Sequence, residues 1–319
     1  MRFNSKARLD TSQVQDTRSS GGGGGGGGGL GNLSGMAKGG GGLGIVAILI
    51  FAAFQIFGGS SGGGAAAGGL LTQLTGGNGG NATVDNAKLE QSCKTGADAN
   101  TDPDCALVAV INSIQAFWTD EMAGSGTTYQ ETDTVFFSGN VNTGCGAATS
   151  ATGPFYCPAD QLVYVDLTFF NELATQFGAN DAVFTRAYVL AHEYGHHVQN
   201  LLGTSDKVGT ATGPTSGSVR LELQADCYAG VWANHATTVP GADGQVLIED
   251  LTDTDIANAL DAAAKIGDDY IQTHLGGGQV NEAAFSHGSS AQRKKWFTEG
   301  LTNGDPTRCD TFKTGVNLG

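Results

Sequence analysis

The feature that most limits what this chain can fold into is the pentapeptide H-E-Y-G-H at residues 192–196. Apolar residues recur at three- and four-residue spacings on both sides of it, which predicts one helix over 181–202. His192 and His196 are four residues apart, so both imidazoles lie on one helix face and can bind one metal ion. Glu193 lies beside them and can take a proton from a water molecule without binding the metal.

Two other residues of this helix qualify the prediction. Gly195 is a poor helix former, at a cost of about 1 kcal/mol relative to alanine, so we expect another backbone or the substrate to approach closely there. His197 is five residues from His192, about 140° round the helix, and cannot share its ion. We expect His197 to be an exposed or supporting histidine.

A third protein ligand is expected from a second predicted helix, 218–236. Glu222 and Asp226 are spaced i and i+4 on it. Two like charges at this spacing cost a few tenths of a kcal/mol in an ordinary helix, but a metal site removes that objection. Glu222 would bind the ion, and Asp226 would accept the free ring N–H of a ligating histidine. The alternative is a pair of solvated acids on a surface helix.

These motifs resemble those of a known family, the bacterial membrane-anchored proteins grouped as putative neutral zinc metallopeptidases. The resemblance is carried by H-E-Y-G-H-H-V-Q, by R-x-E-L-x-A-D-C-Y-A-G-V-W-A from residue 220, and by stretches 144–158 and 287–293. It implies one Zn²⁺ per chain and a peptide or protein substrate. In the site it implies His192, His196 and Glu222 as ligands, Glu193 as base and Asp226 as the partner of a ligating histidine.

The first 80 residues have too few side chains to form a core. Glycine runs at 21–29 and 39–42 and a Gly/Ala/Ser stretch at 58–69 are typical of flexible linkers. Between them, Leu43 to Phe57 is apolar except for one glutamine. This length fits a short membrane span, a signal-peptide core or a buried helix; we favour an uncleaved anchor. The predicted division is a tail (1–42), a transmembrane anchor (43–57), a linker (58–83) and a metallopeptidase domain (84–319).

Charge predicts how such an anchor is oriented. Five basic and two acidic residues precede it, so the N-terminus is expected in the cytoplasm and the domain outside. The remaining chain has 11 basic and 29 acidic residues. This net negative charge opposes binding to nucleic acid or to anionic lipid head groups. The expected location is the bacterial inner membrane, with one span and an extracytoplasmic or periplasmic domain.

All six cysteines follow the apolar stretch, as an oxidising compartment would favour. Six cysteines permit fifteen pairings. A zinc site made of cysteines is the competing interpretation, but no C-x-x-C spacing occurs. Short loops favour the pairs Cys93–Cys105 and Cys145–Cys157, which leaves Cys227–Cys309.

The element pattern predicts an α+β, zincin-like fold with a small mixed or antiparallel sheet. Strands are predicted at 134–141 and 161–166, and further helices at 106–122, 168–177, 253–274 and 289–301. Ser289 and Gln292 form a capping box for the last helix. In such folds a sheet edge lies above the metal and pairs with an extended peptide.

The predicted function is zinc-assisted hydrolysis of peptide bonds, with Glu193 passing a proton to the leaving amine. The developing oxyanion needs a further donor. His287 is our candidate, with Tyr228 and Arg293 as alternatives, although a loop histidine with a structural role fits the sequence equally. Two other functions stay open: a non-catalytic scaffold of the cell envelope, and a zinc hydrolase of non-peptide amides or esters.

Overall fold

The strands and helices are described here for residues 1–18, 83–123 and 126–319 of a computed structural model. The α-helices are α1 (Ala87–Ser92), α2 (Gly96–Ala99), α3 (Pro103–Ala123), α4 (Thr168–Thr175), α5 (Val183–Leu201), α6 (Gly217–His235), α7 (Asp253–Lys265), α8 (Asp268–His274) and α9 (Ser290–Asn303). The strands are β1 (Arg2–Phe3), β2 (Val14–Asp16), β3 (Thr134–Phe137), β4 (Asn140–Thr143), β5 (Gly146–Thr149), β6 (Phe155–Cys157), β7 (Leu162–Asp166) and β8 (Ile248–Asp250). The fold is therefore mixed α+β, as predicted.

The largest sheet has four strands in the order β2-β3-β7-β6. β2 pairs in parallel with β3, and β3 with β7, whereas β6 is antiparallel to β7. Within the described residues β6 pairs with no other strand, so it forms an edge of the sheet. β4 and β5 form a separate hairpin, and β1 pairs with β8.

Residues 1–18 belong to the same folded unit as the predicted domain, which we had begun at residue 84. Strand β2 completes the main sheet through its register with β3. The Arg18 guanidinium donates to Asp16 at 2.6 Å and to Asp104 at 2.9 Å. The Asp85 N–H donates to the Asp16 carbonyl at 2.8 Å. The unit therefore includes residues 1–18 as well.

The predicted glycine-rich linkers and the predicted anchor at 43–57 lie outside the described residues. In the part of the chain that is described, no helix has both the length and the apolar character needed to cross a membrane.

The predicted strands and helices differ from the structure mainly at two places. The predicted strand 134–141 is split into β3 and β4. The predicted helix 253–274 is broken into α7 and α8 at Gly267, where a Cβ atom would lie 2.4 Å from the Ser290 backbone nitrogen. The start of α9 therefore packs directly on this break, and its predicted capping box of Ser289 and Gln292 is present.

Helix α6 packs between α5 and α9. At two glycines the backbones of α6 and α9 approach each other closely. A Cβ atom on Gly230 would lie 2.1 Å from the Phe297 carbonyl oxygen, and one on Gly300 would lie 2.0 Å from the Cys227 carbonyl oxygen. No side chain larger than hydrogen fits at either position without moving the helices apart. This contact fixes α6, which carries Glu222, against α9.

The three predicted disulfides, Cys93–Cys105, Cys145–Cys157 and Cys227–Cys309, are the three that form. No cysteine of the described residues is free. We therefore expect a maleimide reagent to label no thiol in the denatured, unreduced protein. The same sample reduced beforehand serves as the control and should take up six labels, read by intact mass. Labelling before reduction would show that the predicted pairings do not form in the cell.

Candidate metal centre

Three ligand atoms from α5 and α6 converge on one point. His192 Nε2 lies 3.1 Å from Glu222 Oε2 and 3.2 Å from His196 Nε2, and His196 Nε2 lies 3.5 Å from Glu222 Oε1. All three residues are buried. Zinc binds nitrogen and oxygen at about 2.0–2.2 Å, so the ligand atoms of a tetrahedral ion lie roughly 3.3 Å apart. The spacing fits a zinc ion, and His₂Glu is a donor set of catalytic zinc sites.

Hydrogen bonds on the far side of each ring determine what these atoms offer. A carboxylate only accepts, so His192 Nδ1, which lies 2.9 Å from Asp226 Oδ1, carries the proton. Gln199 donates its amide N–H to the Leu221 carbonyl, which leaves its oxygen to accept from His196 Nδ1 at 2.8 Å. Both Nε2 lone pairs therefore point at each other and at a carboxylate. Such an arrangement favours a cation between them.

The residues of this centre shift one another's pKa values. Burial lowers the pKa of His192, but the Asp226 carboxylate outweighs it and raises the pKa to about 10. Burial lowers the pKa of His196 to about 4. Burial raises the pKa of Glu222, but His196 and His192 hold it well below its usual range. The Asp226 and Glu222 carboxylates thus favour a positive charge at His192.

Asp226 connects the centre to the core. It is fully buried and accepts from His192, from the Tyr188 hydroxyl at 2.6 Å and from both Nε and Nη2 of Arg293 at 2.8 and 2.9 Å. Asp226 therefore lies against His192 Nδ1, on the opposite side of the ring from Glu222. Neither alternative oxyanion donor fits that role. Arg293 is taken up by Asp226, and Tyr228 packs against Trp118 away from the cavity.

Asp226→Asn is expected to weaken zinc binding by about 10–100-fold, as loss of a carboxylate behind a ligating histidine typically does. The amide can still accept from His192 Nδ1, but it no longer matches the Arg293 charge. Activity should recover in part at high zinc concentration, which a zinc titration would measure. Asp206→Asn, on an exposed turn, is the control and should bind as the unmodified protein does. Unchanged affinity in Asp226→Asn would show that this carboxylate does not hold the histidine.

Glu193 lies in the wall of the cavity, next to the ligands but outside their cluster. The backbone N–H of Tyr156, on edge strand β6, lies near the Glu193 carboxylate and favours the ionised form. Burial raises the pKa of Glu193 to about 7. A base whose pKa lies near the working pH exchanges protons most effectively.

His287 also lines the cavity, and a buried carboxylate holds it there. Asp268 accepts from the backbone N–H groups of Ser286, His287 and Gly288 at 2.7–3.0 Å, and His287 Nδ1 lies 3.2 Å from it. Burial lowers the pKa of His287, but Asp268 outweighs it and the pKa is raised. Asp268 could not be recognised from the sequence, because it is 19 residues from His287 and belongs to no motif.

His197 and Gly195 both contact elements that neighbour helix α5. His197 was predicted to be exposed or supporting; it is buried, and its ring bonds to the Gln130 carbonyl at 2.7 Å and to the Tyr156 hydroxyl at 3.1 Å. It therefore ties α5 to β6. A Cβ atom on Gly195 would lie 3.1 Å from the backbone of Ala225. The expected close approach is thus made by α6, and it brings Glu222 to the two histidines.

The ligands open into a cavity of about 130 Å³. Its polar lining consists mainly of His192, Glu193, His196, Glu222, His287 and Arg293, and its apolar lining includes Phe155, Phe169, Val189, Ile266 and Ile271. A site of three ligands, a neighbouring carboxylate and a held histidine, next to a space that a substrate can enter, is suited to metal-assisted hydrolysis.

Comparison with known proteins agrees with this chemistry. The model of a family described as "putative neutral zinc metallopeptidase" matches residues 1–312. The uncharacterized protein Rv2575 of Mycobacterium tuberculosis (strain ATCC 25618 / H37Rv) is 50% identical over 229 residues, which cover 71% of this chain and 76% of that protein. The uncharacterized protein YpfJ of Escherichia coli (strain K12) is 42% identical over 213 residues, which cover 65% and 70% respectively. No solved structure matches the chain significantly.

Proposed function

The chain belongs to the putative neutral zinc metallopeptidase family, and on that premise we propose that it is a zinc-dependent hydrolase of peptide bonds. The observation that carries the proposal is that ligand atoms of His192, His196 and Glu222 lie close enough together to bind one ion. A fourth buried group lies beside them in the cavity wall and can accept and return a proton. That group is Glu193. A purely structural zinc site is closed by four protein ligands, whereas a catalytic site has three.

The chemistry follows from where each side chain is held. When bound, zinc would polarise the substrate carbonyl and lower the pKa of water to near 7. Glu193 accepts the proton of the attacking water and returns it to the leaving amine. Asp226 keeps His192 in the tautomer that offers Nε2 to the ion. His287 donates through Nδ1 to Asp268, so its Nε2 can donate to the developing oxyanion when the ring is protonated, a form that the raised pKa favours.

Strand β6 is the element along which we propose that the substrate lies. It is the edge of the main sheet, and residues 152–156 line the cavity. An extended peptide can add to such an edge through main-chain hydrogen bonds. Because Tyr156 and Glu193 line the same cavity, a peptide on this edge would lie next to the base.

We further propose that the enzyme works outside the cytoplasm. Three disulfides support this location, because such bonds persist in oxidising compartments and are rare in the cytosol.

Metal analysis of the purified full-length protein, followed by cleavage of a random peptide library, tests the proposed function. We expect about one zinc per chain and defined cleavage products. Zinc without cleavage of any peptide would overturn the peptidase. In that outcome, cleavage of non-peptide amides or esters would point to another hydrolase, and no turnover at all would point to a scaffold.

A further inference from the structure

The cavity beside the metal ligands has one apolar side, formed by five residues that we call the apolar wall: Phe155, Phe169, Val189, Ile266 and Ile271. We propose that this wall selects peptides with a leucine- or phenylalanine-sized side chain next to the scissile bond. The inference rests on the proposed peptidase function and names its substrate class.

The wall is built by separate elements that converge next to the metal centre. Phe155 comes from β6, Phe169 from α4, Val189 from α5 and Ile271 from α8, and each of them is less than 9% exposed. Val189 is three residues before His192 and so lies on the ligand-bearing face of α5. A side chain adjacent to a bond held at the metal would therefore reach this wall.

Arg293, Glu222 and Glu193, which face the cavity, are already engaged, and the proposed role of His287 is toward the oxyanion. Arg293 donates through Nε and Nη2 to Asp226 and through Nη1 to the Ile266 carbonyl, so its charge is compensated and no acidic substrate side chain is needed to balance it. Glu222 belongs to the metal ligands and Glu193 to the water, so no carboxylate is left for a basic side chain. An ionised side chain entering here would lose its water without gaining a partner.

The cavity also has the right size. An apolar protein cavity of about 150 Å³ holds a benzene molecule. The cavity here, at about 130 Å³, is of similar size, so a side chain of about leucine or phenylalanine size would fill it. An alanine would leave most of the wall without contact, so much less apolar surface would be removed from water.

The test uses the full-length, zinc-loaded protein and peptides that differ at one residue beside the scissile bond: Leu, Phe, Ala, Asp or Lys. At one of the two flanking positions we expect kcat/KM for Leu and Phe to exceed that for Ala by at least about tenfold, with Asp and Lys lower still. The same peptides are titrated onto zinc-loaded Glu193→Gln, where the order of affinities should be the same. This second measurement examines the wall without requiring turnover.

Val189→Phe fills the cavity and should bring the Leu-to-Ala ratio close to one. Val183→Phe is the matched control, because Val183 lies at the exposed start of the same helix and should keep the ratio of the unmodified protein. Peptide cleavage without an apolar preference, or a ratio that survives Val189→Phe, would overturn the inference and leave the peptidase intact. If Glu193→Gln binds the peptides in the expected order of affinity but the unmodified protein cleaves none of them, the proposed peptidase function is wrong and the selectivity of the apolar wall stands.

Discussion

Replacing Glu193 with glutamine is expected to lower kcat by about 10²–10⁴-fold while the protein still binds about one zinc per chain. The substitution preserves the size of the side chain and an oxygen that can accept from the Tyr156 N–H. It removes only the ability to take a proton. The zinc content should persist because Glu193 is not one of the three clustered ligands.

Peptide turnover and metal content, measured on the same preparation, check this result. Glu282→Gln makes the same chemical change at an exposed position and should leave both values unaltered. The thermal midpoint of each variant shows whether the fold is kept. Retained turnover in Glu193→Gln, or loss of metal as complete as in His192→Ala, would refute its role as the base.

Replacing Glu222 with alanine should remove zinc and activity together. Its two carboxylate oxygens lie 3.1 Å from His192 Nε2 and 3.5 Å from His196 Nε2, so its loss leaves only two histidines around the ion. Helix α6 should stay in place, because its glycine contacts with α9 and the Cys227–Cys309 disulfide do not involve this side chain.

A zinc titration of Glu222→Ala beside Asp226→Asn distinguishes a ligand from the residue behind a ligand. The first variant should not be rescued by high zinc, whereas the second should recover in part. If Asp226→Asn is the variant that cannot be rescued and Glu222→Ala binds normally, the two roles are reversed. Normal binding by both would place the third ligand elsewhere in the chain.

Much of the metal centre could be predicted because it is encoded locally. His192 and His196, and likewise Glu222 and Asp226, are pairs four residues apart on single helices, where the helical repeat alone fixes their faces. Gln199 could have been found by the same rule, since it is three residues after His196. The role of Arg293 could not, because it depends on two glycines that let α9 approach α6 and bring its guanidinium to Asp226.

The parts that sequence reasoning missed depend on long-range pairing. Asp268 holds His287 mainly through backbone N–H groups, which any residue type provides. β2 is three residues long and carries no alternating pattern that distinguishes it from a loop; only its pairing with β3, about 120 positions later, makes it a strand. The same holds for β1, which pairs with β8.

The pairing of β2 has a topological consequence. Arg18 and Asp85 both bond to Asp16, so the chain that leaves the fold after residue 18 returns to it at the same place. A polypeptide that crosses a membrane once cannot have both ends of the crossing segment docked on one body. With residues 1–18 docked, the N-terminus and the domain lie on the same side of a membrane, whereas the orientation deduced from charge puts them on opposite sides. In this fold the first strands and the metal centre share one compartment, and a reporter at either end of the chain should locate both.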